Sequence, residues 1–289
     1  MRVLVSGADG QLGSTLGSLF ATECDVRLAT RADLDLTRPD QIRAVVADAL
    51  PDVVINCAAY NDVDGAEDEV ELALSVNAFG VRALAHAARE VGARLVHYSS
   101  DFVFDGTSDR PYTEDDRPNP RSVYATSKLL GEWFARAAFH YVLRVESLFG
   151  GGALGPARSG RTRGSSLDRM ADTLLAGCPV QAFTDRTVSP SYVDDVAQAT
   201  RALLRGAPPR GVYHCVGSGC ATWFDVATEL GRCLGVSGMI EPATLVGRQL
   251  RAARPQYCAL SNSKLAGVGV EIPAWQDAVA RYAARRRGA

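Results

Sequence analysis

Short apolar runs alternate with amphipathic stretches through the first half of the chain. Residues 2–6, 25–30, 53–55, 94–99 and 141–144 read as strands, and residues 11–20, 39–50, 69–91 and 123–138 as helices. Thr37 is placed to cap the second helix, and Pro39 falls in its first turn, where a missing amide hydrogen costs nothing. The run 53–55 is apolar throughout, as a strand buried on both faces requires. This alternation predicts an α/β chain built on a parallel sheet with helices on both faces. Residues 150–164, rich in Gly and Arg, predict an irregular segment, and the elements beyond it are shorter and less regular. A boundary near 147 then separates a first unit, 1–146, from a smaller second unit, 147–289, with some later segments returning to the first.

Composition narrows the classes without choosing among them. A length of 289 residues with 47% hydrophobic content suits one large α/β domain, or one and a half. A formal charge of −2 argues against nucleic acid or a membrane surface as partner. No apolar run approaches the roughly 20 residues of a membrane span, and the start of the chain lacks the pattern of a signal peptide. The seven cysteines are odd in number and scattered, with no CxxC among them. They read as small buried hydrophobes in a reducing compartment, which predicts a cytoplasmic protein without a cysteine-based metal site.

The first candidate chemistry lies directly after the first strand. Gly7-Ala8-Asp9-Gly10-Gln11-Leu12-Gly13 spells GxxGxxG and runs into a helix. Gly7 permits a tight turn, Gly10 lets a pyrophosphate approach the backbone, and Gly13 allows close helix–strand packing. The amide groups at the helix start, here Gln11 and Leu12 onward, add the positive end of the dipole. A dinucleotide is the expected ligand. At the end of the second strand, where an acidic residue would accept from a ribose 2′-hydroxyl, stand Thr30 and Arg31. A guanidinium there favours a 2′-phosphate, so NADPH is expected over NADH. Asp33 or Asp35 reaching back would weaken that preference, while Asp35 and Leu36 are placed to lie against the adenine.

The second candidate is the pair Tyr124 and Lys128, four residues apart on the helix 123–138 and therefore on one face. An ammonium beside a phenol favours the phenolate, so a lowered tyrosine pKa is expected. Ser99 and Ser100 end the strand 94–99 and its tip, where ligands of α/β sheets gather.

Taken with Val53-Val54-Ile55-Asn56-Cys57-Ala58-Ala59-Tyr60, Ser99-Ser100-Asp101-Phe102-Val103-Phe104, Pro118-Asn119-Pro120 and the Tyr124/Lys128 segment, the chain resembles the extended short-chain dehydrogenase/reductase superfamily, and within it the dTDP-4-dehydrorhamnose reductase family. The resemblance covers nearly the whole length, including Arg144, the block 185–195, Thr222-Trp223-Phe224 and Arg254-Pro255. It implies a Rossmann-type doubly wound sheet over 1–146 carrying NADP, and a smaller, mainly substrate-binding α/β domain over 147–289. It implies reduction by NADPH of the C4 ketone of a nucleotide-activated 6-deoxy-4-ketohexose, first of all dTDP-4-dehydro-L-rhamnose. Tyr124 would then be the proton donor, Lys128 the residue that lowers its pKa and holds the nicotinamide ribose, and Ser100 the hydroxyl that bonds the reacting carbonyl. Ala58 and Ala59 would flank the nicotinamide ribose. Tyr60, Asp101, Ser147 and Arg254 would meet the substrate.

Departures from that pattern carry information. Phe102 stands where related dehydratases place an acid, which disfavours elimination of water, and Thr30-Arg31 disfavours an epimerase with tightly held NAD. Ser147 replaces a tryptophan expected near the sugar and leaves another 4-ketohexose open. Thr15 replaces a glutamate that bridges dimers through a metal in some members, so no metal is expected, although a homodimer stays open. The rival from another class is a non-catalytic nucleotide-binding regulatory subunit. Several residues have a plain reading beside the functional one: Tyr60, Asn61 and Asp62 as a polar turn, Arg254 as an ion pair, Asn77 and Trp223 as packing. His86, His97, His140 and His214 form no ligand spacing, and Arg158, Arg161 and Arg163 read as solvated charge.

Overall fold

The structure, a computed structural model, describes residues 1–137, 140–151, 164–236 and 238–288. Its first half runs β1 (Arg2–Ser6), α1 (Gln11–Phe20), β2 (Asp25–Ala29), α2 (Pro39–Ala49), β3 (Val53–Asn56), α3 (Val70–Leu74), α4 (Gly80–Glu90), β4 (Arg94–Ser100), α5 (Val123–Ala137) and β5 (Tyr141–Val145). Beyond it come β6 (Leu148–Phe149), α6 (Ser166–Leu175), β7 (Val180–Phe183), β8 (Thr187–Val188), β9 (Ser191–Tyr192), α7 (Val193–Gly206), β10 (Val212–His214), β11 (Ala221–Thr222), α8 (Trp223–Leu234), β12 (Ile240–Ala243), α9 (Ser263–Ala266) and α10 (Trp275–Arg287).

Six parallel strands form the central sheet in the order β10-β5-β4-β3-β1-β2. Alternate residues of each strand serve opposite faces. Val3 and Val5 of β1 join a core with Leu12, Leu16 and Phe20 of α1 and Val193, Val196 and Leu203 of α7. Leu4, between them, joins Leu34, Ile42 and Leu84 on the other face. A sheet strand covered on both sides needs apolar residues at successive positions, which is why β1 and β3 read as apolar runs over Val3–Val5 and Val53–Ile55, while the edge strand β2 is largely exposed. The fold is a Rossmann-type α/β sheet. Because β1 pairs with both β2 and β3, the strand order reverses there, and the crevice beyond the strand ends at that point is where ligands of such sheets sit.

A second apolar core gathers Phe149, Leu167, Leu174, Trp223, Val226, Leu230, Trp275 and Val279 from β6, α6, α8 and α10. The chain does not stay on that side. After α7 packs on α1, β10 adds to the sheet edge by pairing Val212 with Val142.

Two local expectations change. The helix after Pro39 is preceded by Arg38 and has no side-chain cap, because the Thr37 hydroxyl donates instead to Asp35 Oδ1 at 2.8 Å. The stretch 69–91 is not one regular helix: Ser75–Phe79 widens into a π-helical turn between α3 and α4. Within it Asn77 is buried, donating Nδ2 to the Tyr60 carbonyl and the Ser127 hydroxyl and accepting the Tyr60 amide. Of the expected irregular segment, residues 152–163, with Arg158, Arg161 and Arg163, lie outside the described residues.

Candidate active site

The crevice begins at the glycine turn. Gly7 has φ +67°, a conformation that strains any other residue, and a Cβ on it would stand 2.7 Å from the Ala58 amide nitrogen at the tip of β3. A Cβ on Gly13 would stand 2.2 Å from the Gly7 carbonyl oxygen, so only glycine lets α1 approach β1 this closely. Gly10, in extended conformation before α1, offers no side-chain cap, which leaves the first-turn amides of the helix to the crevice. Gly7, Gly10, Arg31, Asp35, Leu36, Ala58, Ala59 and Tyr60 line a cleft of about 510 Å³.

The acceptors that threatened the 2′-phosphate reading are engaged within their own loop. Asp33 accepts from the amide and hydroxyl of Thr30, at 2.9 and 2.7 Å, and Asp35 accepts from the amide and hydroxyl of Thr37. Arg31 extends over the cleft wall, its side chain 75% exposed and 3.7 Å from Asp35.

A second cavity of about 430 Å³ shares Gly10, Ala58 and Ala59 with the first and is lined also by Gln11, Leu12, Gly13, Ser100, Asp101, Phe102, Tyr124, Lys128, Ser147, Arg186 and Trp223. The two form one trough along the strand ends. Tyr60 lies in the first part, its hydroxyl bonded to Glu69, rather than in the second, where the sugar was expected. Arg254 lines neither part: it pairs with Asp64 at 2.8 Å, and its guanidinium lies 5.9 Å over the Phe102 ring.

Tyr124 and Lys128 project from α5 toward β4. Lys128 is buried, with Nζ donating to the Tyr98 carbonyl at 2.7 Å. Burial pulls its ammonium down to about 8, against the pull of the Glu132 charge, which raises it. Tyr124 does not show the expected lowering. Burial and the Asp101 charge push its phenol up, and only a hydrogen bond with Ser100 opposes them. The ammonium is committed to the β4 carbonyl. A phenol so placed keeps its proton at neutral pH, which is the state a proton donor needs.

Ser100 ends β4 and caps the single turn 101–103, accepting the Phe102 amide at 3.2 Å and donating to Asp101 Oδ1 at 2.7 Å. Phe102 packs edge-on to Tyr124, with ring centroids 5.6 Å apart. Ser147, just past β5, has φ +46°, a left-handed backbone rare outside glycine, and it opens toward the cavity where a larger side chain was expected.

Two residues absent from the expected set complete this end. Arg186 lines the cavity 5.6 Å over the Phe102 ring, and Glu146 stands buried behind Asp101 with its Oε2 accepting the Ser189 amide at 2.7 Å. An acid adjoining the apolar strand 141–145 was the available signal for Glu146; Arg186 had none beyond its place in the block 185–195.

The sequence profile of the RmlD substrate binding domain matches residues 1–287. The chain belongs to that family. Among RmlD relatives, the dTDP-4-dehydrorhamnose reductase of Streptomyces griseus is 36% identical over 96% of this chain and 91% of its own. A probable dTDP-4,6-dihydroxy-2-methyloxan-3-one 4-ketoreductase of Streptomyces antibioticus is 35% identical over 96% and 93%. The crystal structure of dTDP-4-dehydrorhamnose reductase from Bacillus anthracis in complex with NADP superposes with a TM-score of 0.88 at 30% identity, covering 97% of this chain and 98% of that one. Among the described residues, no helix is long and apolar enough to cross a membrane.

The residues present suit a phosphorylated dinucleotide. Side chains at Gly7 and Gly13 would close the turn, and uncapped helix amides and one extended guanidinium face the cleft it opens.

Proposed function

We propose that this protein is an NADPH-dependent oxidoreductase that reduces the C4 ketone of a nucleotide-activated 6-deoxy-4-ketohexose, taking dTDP-4-dehydro-L-rhamnose to dTDP-L-rhamnose. One observation carries the reading: Ser100, Tyr124 and Lys128 converge in a cavity continuous with the glycine cleft. The relatives named as reductases of this sugar, and the neighbour that binds NADP, support it.

NADPH, when bound, supplies the hydride to the ketone carbon. The chain supplies the rest. Gly7, Gly10, Gln11, Leu12 and Gly13 would hold the phosphates through backbone amides, Arg31 would meet the 2′-phosphate, and Asp35 and Leu36 would border the adenine. Ala58 and Ala59, which line both parts of the trough, would flank the nicotinamide ribose. As negative charge grows on the ketone oxygen, Tyr124 transfers its phenolic proton to it and the Ser100 hydroxyl donates a hydrogen bond. Lys128, 4% exposed with its ammonium on the Tyr98 carbonyl at the end of β4, would hold the nicotinamide ribose beside Tyr124. The second unit seats the sugar nucleotide through Ser147, Arg186 and Trp223, with Asp101 beneath the sugar. Seven unpaired thiols suit work in the reducing cytoplasm.

The test mixes purified protein, NADPH and a panel of dTDP-4-keto-6-deoxyhexoses and follows loss of the reduced-nicotinamide absorbance, with product configuration read by NMR. Oxidation with dTDP-4-dehydro-L-rhamnose is expected; no oxidation with any sugar overturns the reading. Ser147 and the Streptomyces antibioticus relative favour one alternative, a different dTDP-4-ketodeoxysugar, which the same panel identifies.

A further inference from the structure

Behind Ser100 two acids meet. Asp101 follows the last residue of β4 and Glu146 follows the last residue of the neighbouring β5, and they are 4% and 2% exposed. Carboxylate oxygens of both and the Cys258 sulfur lie within 4.8 Å of one another. One oxygen of each acid is tied, Asp101 Oδ1 by the Ser100 hydroxyl and Glu146 Oε2 by the Ser189 amide. The other two, Asp101 Oδ2 and Glu146 Oε1, have no hydrogen-bond partner among the described residues. An unpaired buried carboxylate oxygen is costly, and two on acids this close are costlier unless the pair holds a proton.

The charges around the pair say how many protons it holds. Arg186 faces it from the turn between β7 and β8, Tyr257 and Cys258 from the segment before α9, and Tyr124 from α5. Lys128, also on α5, directs its ammonium to the Tyr98 carbonyl. Among the described residues Arg186 is thus the one cation set against the pair, and it is held there by the Phe102 ring and the Cys258 sulfur. Two ionised acids against one guanidinium would bury a net negative charge; one shared proton closes the balance. Burial raises both acids from their ordinary values, Glu146 well above its own, and the Asp101 charge raises Glu146 further, while Ser100 and Arg186 pull Asp101 back down.

That proton bears on Ser100, which has a single O–H to give. Facing an Asp101 carboxylate, the hydroxyl is held in a charge-assisted bond, roughly twice as strong as a neutral one. Facing the carbonyl oxygen of a protonated Asp101, it is held weakly. We propose that Glu146 is a positioning residue: by sharing one proton with Asp101 it keeps Oδ1 a neutral acceptor and releases the Ser100 hydrogen to the substrate carbonyl. The inference rests on Ser100 acting on that carbonyl, as in the function proposed above.

Two variants test it, read by kcat against pH, by NADPH affinity and by the carboxylic-acid stretch in difference infrared spectra. Glu146→Gln removes the repulsion and offers Asp101 an amide donor, so Asp101 ionises more easily. The alkaline fall in kcat should move to lower pH by about one unit or more, the acid stretch should vanish at neutral pH, and NADPH affinity should be unchanged. Asp101→Asn, neutral at every pH, should abolish that alkaline fall. An alkaline fall that stays in place in both variants belongs to Tyr124 or Lys128 and overturns the proposal, as does an acid stretch missing from the native protein at neutral pH. If Glu146→Gln does not fold, Asp101→Asn and the native infrared titration decide. A native protein that reduces no sugar fails the function instead, and the infrared titration still reports on the shared proton.

Discussion

At one end of the crevice the chain presents backbone: glycines that bring strand, turn and helix into contact, uncapped amides at the start of α1, and a single guanidinium reaching from the end of β2. At the other end it presents side chains, drawn from the ends of β4 and β5, from α5, from the turn before β8 and from the start of α8. Backbone recognition suits a cofactor whose phosphates do not vary, since any sequence that makes the turn makes the site. Side-chain recognition would let a chain change its sugar by changing one residue, and Ser147, in a left-handed turn at the cavity wall, is placed for such a change.

Removing the proton donor gives the largest expected effect and shows whether the two ends act independently. Tyr124→Phe should lower kcat by about two to four orders of magnitude, the usual range for general acid catalysis, while NADPH binding followed by fluorescence stays native. Near-native turnover would reject Tyr124 as donor, and lost NADPH binding would show that the ends are not separable. Arg31→Ala examines the one side chain on which the nucleotide end leans. It should weaken NADPH by on the order of tenfold, the weight of one charge-assisted hydrogen bond, and leave NADH nearly untouched; equal losses would overturn the 2′-phosphate assignment.

The smallest effect lies at the seam between the halves. His214 of β10 is buried against Arg144, 3.3 Å from its guanidinium, and burial and that charge push the imidazole down to about 3. An exposed histidine titrates near 6.5. The folded value is the lower one, so this contribution to stability is complete above about 6.5 and is lost as pH falls toward 3. Thermal unfolding from pH 7 to 4 should therefore decline less steeply in His214→Gln than in the native chain, with His97, also lowered by burial, carrying part of the remaining slope. Parallel curves would refute the linkage.

The same contrast explains what could be read from the sequence. The glycine turn, the sheet strands and the Tyr124/Lys128 helix announce themselves because each is local: a turn needs glycine where φ is positive, and a helix face repeats every turn. The contact of Asp101, Glu146, Arg186 and Cys258 joins residues as far apart as 101 and 258, and no periodicity records it. The direction of the Tyr124 shift was misread for a related reason. Spacing places Lys128 one turn away but says nothing of the Tyr98 carbonyl that takes its ammonium. Likewise Thr37 has a capping residue's chemistry, and only the loop geometry gives its hydroxyl to Asp35.

The π-helical turn at Ser75–Phe79 limits how this chain can be altered. Through Asn77 it grips both the Tyr60 backbone beside the nucleotide cleft and Ser127 on the helix that bears Tyr124 and Lys128, and Ser127 in turn donates to the Tyr124 carbonyl. The loop after β3 and α5 are therefore a single transplantable part with position 77 as its clasp. Grafting a foreign 58–63 loop without its matching residue at 77 would loosen the anchor on Ser127, and with it the turn of α5 that carries Tyr124.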